Sequence, residues 1–219
     1  MSYNYIMKTN NLPFIVFEGM CCSGKTTAIA DFNTFLQAKG TVGTFCNKGV
    51  FTKTEIGRSF SANLGKMSIG FSTVFYLADL LQDTISNIKP ALDQGKWVLQ
   101  DRYIGSIAAY RKAYGQYKEE YLDFSAAVEI YYKNKLLLRP RLEVYCIPPL
   151  ETLVERMQVA RENAIHQYYL GNPEFMRLVY DATKEAALAN PNAIVLDTSK
   201  KLNEVDFELL FNNITKNLA

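Results

Sequence analysis

Eight residues near the start of the chain, Gly19-Met20-Cys21-Cys22-Ser23-Gly24-Lys25-Thr26, fit the pattern G-x-x-x-x-G-K-[ST]. Glycines at 19 and 24 let backbone N–H groups turn inward and approach phosphate oxygens with no Cβ in the way. A helix starting at Lys25 would add the partial positive charge of its N-terminus, with Thr27 in its first turn. Lys25 has the reach and charge to meet β- and γ-phosphate oxygens, and the Thr26 hydroxyl is the kind of oxygen that holds Mg2+. The chemistry of these residue types is nucleotide phosphate binding.

A second cluster is Asp101-Arg102-Tyr103, after the apolar run Trp97–Gln100. In an open parallel sheet, ligands gather beyond the carboxyl ends of the strands. An acid there can bind Mg2+ or take a proton, and the arginine beside it can fork onto a second phosphate. Glu18, just ahead of the loop, has two readings: it orients water around the metal on the substrate side, or it braces the turn.

Positioning these groups requires strands that end at Glu18 and Asp101. Phe14–Glu18 and Trp97–Gln100 are short apolar runs of strand type, and Val42–Cys46, Leu142–Ile147 and Ile194–Leu196 are three more. Helical spacing covers Lys25–Ala38, closed by Gly40, then Phe71–Ile88, Ser106–Tyr114, Lys118–Leu137, Leu150–Ala160, Pro173–Ala189 and Glu204–Leu218. Strands alternating with helices predict right-handed βαβ units around a parallel sheet, hence one three-layer α/β domain over 1–219 with a loose tail over 1–12.

The 219 residues hold 24 basic against 22 acidic side chains, so no charge excess calls for a nucleic-acid or membrane partner. No apolar run is long enough for a signal peptide or a membrane span, which predicts a cytoplasmic protein. The four cysteines, at 21, 22, 46 and 146, lack zinc spacing and read as reduced thiols.

Phe14-Ile15-Val16-Phe17-Glu18-Gly19 through Ser23-Gly24-Lys25-Thr26-Thr27 resembles the N-terminus of thymidylate kinases. So does Ile88-Lys89-Pro90-Ala91-Leu92 with Gly95-Lys96, Val98-Leu99, Asp101-Arg102-Tyr103, Ser106 and Ala109-Tyr110, and so does Leu138-Arg139-Pro140 with Leu142. The resemblance implies a P-loop kinase fold with a five-stranded parallel sheet, a lid near 156–172, a homodimer, and Mg2+-dependent transfer from ATP to a nucleoside monophosphate. It also implies donor contacts from residues 19–27 and Arg156, metal contacts from Thr26 and Asp101, and acceptor-phosphate contact from Arg102. Phe75 or Tyr76 would stack on the base, Tyr110 would line the acceptor pocket, and a lid arginine, Arg161, would join Lys25, Asp101 and Arg102 in catalysis.

The chain departs from that family pattern on the acceptor side. Cys21 stands where the loop usually carries an acid, and Leu80 where the long helix usually carries an arginine. Asn47-Lys48-Gly49-Val50-Phe51 replaces an Arg-Glu-Pro-Gly-Gly segment, leaving Lys48 as a point-charge substitute on the substrate side. The lid offers only Arg156 and Arg161, and the single histidine, His166, reads as a lid surface residue. Three readings follow: a kinase of thymidylate or a related pyrimidine monophosphate, a kinase of a nucleoside or other small hydroxyl metabolite, and an ATP-binding regulator that transfers nothing.

Overall fold

The computed structural model describes residues 13–41, 43–50, 54–63, 66–120, 122–160 and 164–216. The expected tail over 1–12, Val42, Phe51, Arg161 and the end of the last helix at Leu218 lie outside them.

Five strands, β1 (Phe14–Glu18), β2 (Thr44–Asn47), β3 (Trp97–Asp101), β4 (Leu142–Cys146) and β5 (Ala193–Leu196), form one parallel sheet in the order β2-β3-β1-β4-β5. All five residues of β1 are buried, as expected of a central strand covered on both faces. Its alternation divides the core: Ile15 and Phe17 join Phe32, Leu36, Leu210 and Ile214 on one face, while Phe14 and Val16 join Leu92, Val98 and Tyr103 on the other. The register pairs Phe17 with Asp101, so β1 and β3 end side by side.

Helix α1 (Lys25–Ala38) follows β1, and α2 (Glu55–Ala62) and α3 (Ile69–Asp83) lie between β2 and β3. Ser68 starts α3 by accepting the Phe71 N–H on its hydroxyl, two residues earlier than apolar spacing predicts. The continuous helix expected over 71–88 instead passes through a π-helical turn, Thr84–Ile88, into α4 (Lys89–Asp93). Pro90 sits in the first turn of α4, where its missing N–H costs no helical hydrogen bond. The helix expected over 118–137 is shorter than its apolar spacing predicts, and the one before it runs on past Tyr114. Helix α5 (Ile104–Lys118) stops where Glu119 adopts φ 55, and α6 (Ser125–Lys133) starts after Phe124.

Helices α7 (Leu150–Val159), α8 (Ala164–Gly171), α9 (Pro173–Ala189) and α10 (Glu204–Thr215) complete the chain. A capping box between Asn203 and Asp206 opens α10. A third apolar cluster holds α7, α8 and α9 against α5 through Met157, Tyr169, Phe175 and Tyr114. Helices α2 and α8 lie outside the helices that the apolar spacing predicts. The second strand begins at Thr44 and extends to Asn47, which brings Asn47 rather than Cys46 to its buried end.

Candidate active site

The turn between β1 and α1 has the left-handed backbone its glycines allow, at φ 139 for Gly19 and φ 82 for Gly24. A Cβ on Gly19 would lie 2.5 Å from the Cys146 carbonyl, so the loop closes on β4 only with glycine there. Inside the loop, the Lys25 ammonium donates to the Met20 carbonyl at 2.6 Å and approaches the Ser23 hydroxyl at 3.4 Å. Burial, followed by the nearby Arg102 charge, pushes the Lys25 pKa down to about 8, with Asp101 opposing. The Met20 side chain belongs to the core, while Thr26 and Thr27 are exposed on the first turn of α1.

At the adjoining strand end, Asp101 Oδ2 accepts from the Thr26 hydroxyl at 3.4 Å and lies 3.9 Å from the Lys48 ammonium. Lys48 also donates to Thr26 Oγ1 at 3.2 Å. Asp101 Oδ1 is buried without a hydrogen-bond partner. A hydroxyl and a carboxylate with a free oxygen are hard donors suited to Mg2+, which usually takes one or two carboxylates with the rest of its sphere from phosphates and water. The donor set therefore fits the metal.

Arg102 adopts φ 70, an uncommon conformation for a side-chain-bearing residue and a form of strain that clusters at functional sites. Its guanidinium donates to the Gly19 carbonyl at 2.6 Å and the Ser106 hydroxyl at 3.3 Å, reaches Cys21 Sγ at 3.6 Å and lies over the Tyr110 ring at 5.7 Å. Glu18 braces this arrangement: it accepts the Tyr103 N–H at 2.9 Å and is bonded to the Ser106 hydroxyl. Glu18 is fully buried and does not line the cavity described next, which corrects its expected place on the substrate side.

Beyond Arg102 a cavity of about 240 Å3 runs between α3 and α5, with walls from Cys21, Lys48, Phe75, Tyr76, Asp79, Leu80, Tyr110, Arg111 and Tyr114. It brings together the expected Lys48, Asp101, Arg102, Phe75, Tyr76 and Tyr110, and adds Cys21. Phe60, on the unforeseen α2, also lines it and stacks on Phe75 with centroids 3.9 Å apart and planes 9° apart. Behind Lys48, Asn47 donates to both oxygens of the fully buried Asp83 at 2.8 and 2.7 Å and to Gln100 at 2.9 Å, while Asn87 in the π-helical turn donates to Asp83 at 2.7 Å.

On the other side of the loop, Arg156 donates to the carbonyls of Cys22 at 3.2 Å, Thr198 at 2.7 Å and Ser199 at 3.2 Å. It therefore ties the loop to the segment after β5 and stands away from the cavity. His166, expected on the lid surface, is buried instead. Its Nδ1 donates to the Ala160 carbonyl at 3.0 Å, and its Nε2 lies 3.4 Å from Cys22 Sγ, pinning α8 to the loop. Apolar flanks at Ile165 and Tyr169 were the available sign that this part of the lid packs inward.

The thymidylate kinase family model matches residues 17–209, nearly the whole of the described fold. The chain belongs to the thymidylate kinase family. The thymidylate kinase of Prochlorococcus marinus (strain NATL1A) is 39% identical over 113 residues, 47% of this chain and 53% of that protein, so the chain spans about half the length of that relative. The thymidylate kinase of Mycoplasma capricolum is 28% identical over 203 residues, covering 88% of this chain and 90% of that protein. In three dimensions, the thymidylate kinase structure from Ehrlichia chaffeensis aligns with a TM-score of 0.62 at 22% identity over 93% of this chain and 98% of that one, a likeness of fold. Within the thymidylate kinase family pattern, this member keeps Lys25, Thr26, Asp101 and Arg102 together and carries Cys21 and Leu80 in the cavity wall.

Proposed function

We propose that the protein is an ATP-dependent kinase that moves the γ-phosphate onto the 5′-phosphate of a nucleoside monophosphate, thymidylate or a related pyrimidine nucleotide. The observation that carries this reading is the position of Arg102, bonded to Gly19 of the phosphate loop while lining the neighbouring cavity. With Lys48 beside it, the cavity mouth presents two cations, which suits an acceptor that already bears phosphate. A neutral hydroxyl acceptor would instead need a base. The carboxylates of the cavity wall are Asp79, which accepts the Val50 N–H, and Asp101, which faces Lys48.

ATP would lie with its phosphates on the backbone of residues 19–26 and Lys25, and with its remainder toward Arg156. Mg2+ held by Thr26 and Asp101 would neutralise charge on the transferring phosphoryl group. Lys25 supplies a second charge from a buried position where a cation acts strongly, and Arg102 holds the acceptor phosphate in line. Little covalent chemistry is asked of the side chains. Phe75 and Tyr76 supply aromatic surface for the base, and Arg161 would complete the charge on closure of the lid, about 156–172.

We read 1–219 as a single domain that pairs as a homodimer. Supporting this, α3 exposes an apolar stripe of Phe71, Val74 and Ala78 that continues to Ile85, with Phe71 57% and Val74 62% exposed. Among the described residues no helix is long and apolar enough to cross a membrane, and we assign the protein to the cytoplasm.

The test is a coupled ADP-release screen with Mg2+-ATP against nucleoside monophosphates and their parent nucleosides. Turnover on a pyrimidine monophosphate is expected. Turnover on nucleosides alone would replace this reading with the hydroxyl-kinase one, and ATP binding without turnover would replace it with a regulator.

A further inference from the structure

Strand β2 lies at the edge of the sheet and bonds to β3 alone, and its one buried residue is the polar Asn47. Asn47 pairs in register with Gln100 of β3. Two residues further on the chain turns at Gly49, which has φ 88, so Lys48 stands between the strand end and the turn. The Lys48 side chain is 44% exposed, and its ammonium lies 3.2 Å from Thr26 Oγ1 and 3.9 Å from Asp101. A lysine is a point charge on a flexible stem, so what the fold can fix is the place where that stem begins.

That place is held from α3. Asp79 and Asp83 stand one turn apart on this helix, and both are buried. Asp79 Oδ1 accepts the Val50 N–H at 3.1 Å, and Asp83 takes the Asn47 amide on both of its oxygens. The Asn47 side-chain oxygen in turn accepts the Lys48 N–H at 3.0 Å. Among the described residues Asp83 belongs to no ion pair, and the side chains that donate to it are the neutral amides of Asn47 and Asn87. Burying a carboxylate on neutral partners is a poor way to stabilise a fold, since an apolar side chain of similar volume would serve as well or better. What the acid does supply is direction. A carboxylate only accepts, so it compels Asn47 to present its NH2 inward and leaves the amide oxygen to meet the Lys48 N–H.

We infer that Asp83 is a positioning residue for Lys48, acting through the side chain of Asn47. The inference deepens the monophosphate-kinase reading and rests on it for what Lys48 meets, the phosphate of the acceptor. Helix α3 brings Phe75 and Tyr76 to the cavity wall and, one and two turns further on, holds the segment that carries Lys48. One rigid element thus places both the aromatic wall and the cation at the cavity mouth. Phe75 and Tyr76 keep their places on α3 whichever way the Asn47 amide turns. Freeing Lys48 should therefore weaken the grip on the phosphate and leave the contacts to the rest of the nucleotide as they are.

The test is a double-mutant cycle between Asp83→Asn and Lys48→Ala, run with ATP and the best monophosphate acceptor, with thermal melts to verify folding. Asparagine at 83 sets an NH2 where an oxygen received the Asn47 NH2, which turns or frees Asn47 and releases the Lys48 N–H. Lys48→Ala should raise the acceptor KM by about 10-fold or more. Asp83→Asn should raise it by about 3- to 10-fold, with the KM for ATP within about twofold of the wild type. Added to Lys48→Ala, Asp83→Asn should contribute less than about twofold, because no cation is left to place. Asn87→Ala takes one donor from the same carboxylate and leaves the Asn47 bonds. It should lower the melting temperature and move the acceptor KM by less than about twofold. Full additivity in the cycle, an equal rise in KM from Asn87→Ala, or an unchanged KM in Lys48→Ala overturns the inference and leaves the kinase reading standing. Should Asp83→Asn not fold, Asn47→Ala, which removes the acceptor of the Lys48 N–H, takes its place under the same criteria. If the wild type transfers to no monophosphate, the kinase reading falls, and the positioning is read by calorimetry of thymidylate against thymidine. Weaker thymidylate binding in both Lys48→Ala and Asp83→Asn, with thymidine binding unmoved, then supports the inference. Thymidylate binding that is equal in the wild type and Asp83→Asn, or absent from both, refutes it.

Discussion

Substituting glutamine for Glu18 separates the burial of a charge from the hydrogen bonds that the same side chain makes. Glu18 is fully buried at the end of β1, and burial pushes its carboxyl pKa from the ordinary 4.5 up to about 7, with the Ser106 hydrogen bond opposing and the Glu143 charge adding to the rise. A carboxyl whose folded pKa is raised stabilises the fold below its unfolded value and loses that contribution as pH climbs toward the folded value. Between pH 4.5 and 7 the loss amounts to about 3 kcal/mol, a large share of the stability of a domain this size. In Glu18→Gln the amide oxygen still accepts the Tyr103 N–H and the amide nitrogen can donate to the Ser106 hydroxyl. The variant should therefore match the wild type in urea unfolding near pH 4.5 and exceed it by about 2–3 kcal/mol at pH 8. Parallel stability curves across that range would refute the assignment of a buried, reluctant carboxylate. Glu18→Leu supplies the complementary measurement. It strands the Tyr103 N–H, should cost about 1–3 kcal/mol, and should raise the acceptor KM by loosening Ser106 beneath Arg102.

Lys25→Ala should lower kcat about a thousandfold or more with every acceptor while leaving the urea midpoint near that of the wild type; retained transfer would sink the phosphate-loop assignment. Because burial depresses the Lys25 pKa to about 8, kcat/KM for ATP in the wild type should be level below pH 8 and fall above it as the ammonium loses its proton; a profile flat to pH 9.5 would contradict this. Arg102→Ala should raise the acceptor KM and lower kcat with ATP affinity nearly unchanged, and a large loss of ATP binding would assign Arg102 to the donor instead. Asp101→Asn should raise the Mg2+ concentration needed for half-maximal activity by about 10-fold or more, read from a Mg2+ titration at saturating ATP.

How legible the site was in the sequence depended on whether each residue signals locally. The turn over 19–26 states its chemistry in consecutive residues, and the helices over Lys25–Ala38 and Pro173–Ala189 have the bounds their apolar spacing, Gly40 and Pro173 predict. Asp101 and Arg102 were legible because an apolar strand delivers them to the sheet's carboxyl edge. Phe60 was not, since α2 is only eight residues long and nothing local distinguishes its phenylalanine from core. His166 read as surface because its partners, Cys22 and Ala160, come together only after the lid helix folds back over the loop. Glu18 shows the converse: its position beside the loop left two readings open, a contact on the substrate side or a brace, and the hydrogen-bond partners decide for the brace.

The buried cluster of Asn47, Asp83, Asn87 and Gln100 constrains how this sequence can drift. Its members come from β2, α3, the π-helical turn and β3, and each satisfies another. Replacing Asp83 alone would take away the acceptor of the Asn87 amide and leave Asn47 only its bond to Gln100, whereas replacing all four with apolar residues of matched shape could be nearly neutral. Single mutational steps away from the present set are therefore disfavoured even though a distant set would serve, and the four positions should be inherited together. Lys48 follows Asn47 directly and its backbone N–H is held by the Asn47 side-chain oxygen, so the same cluster also fixes where the cation at the cavity mouth starts from.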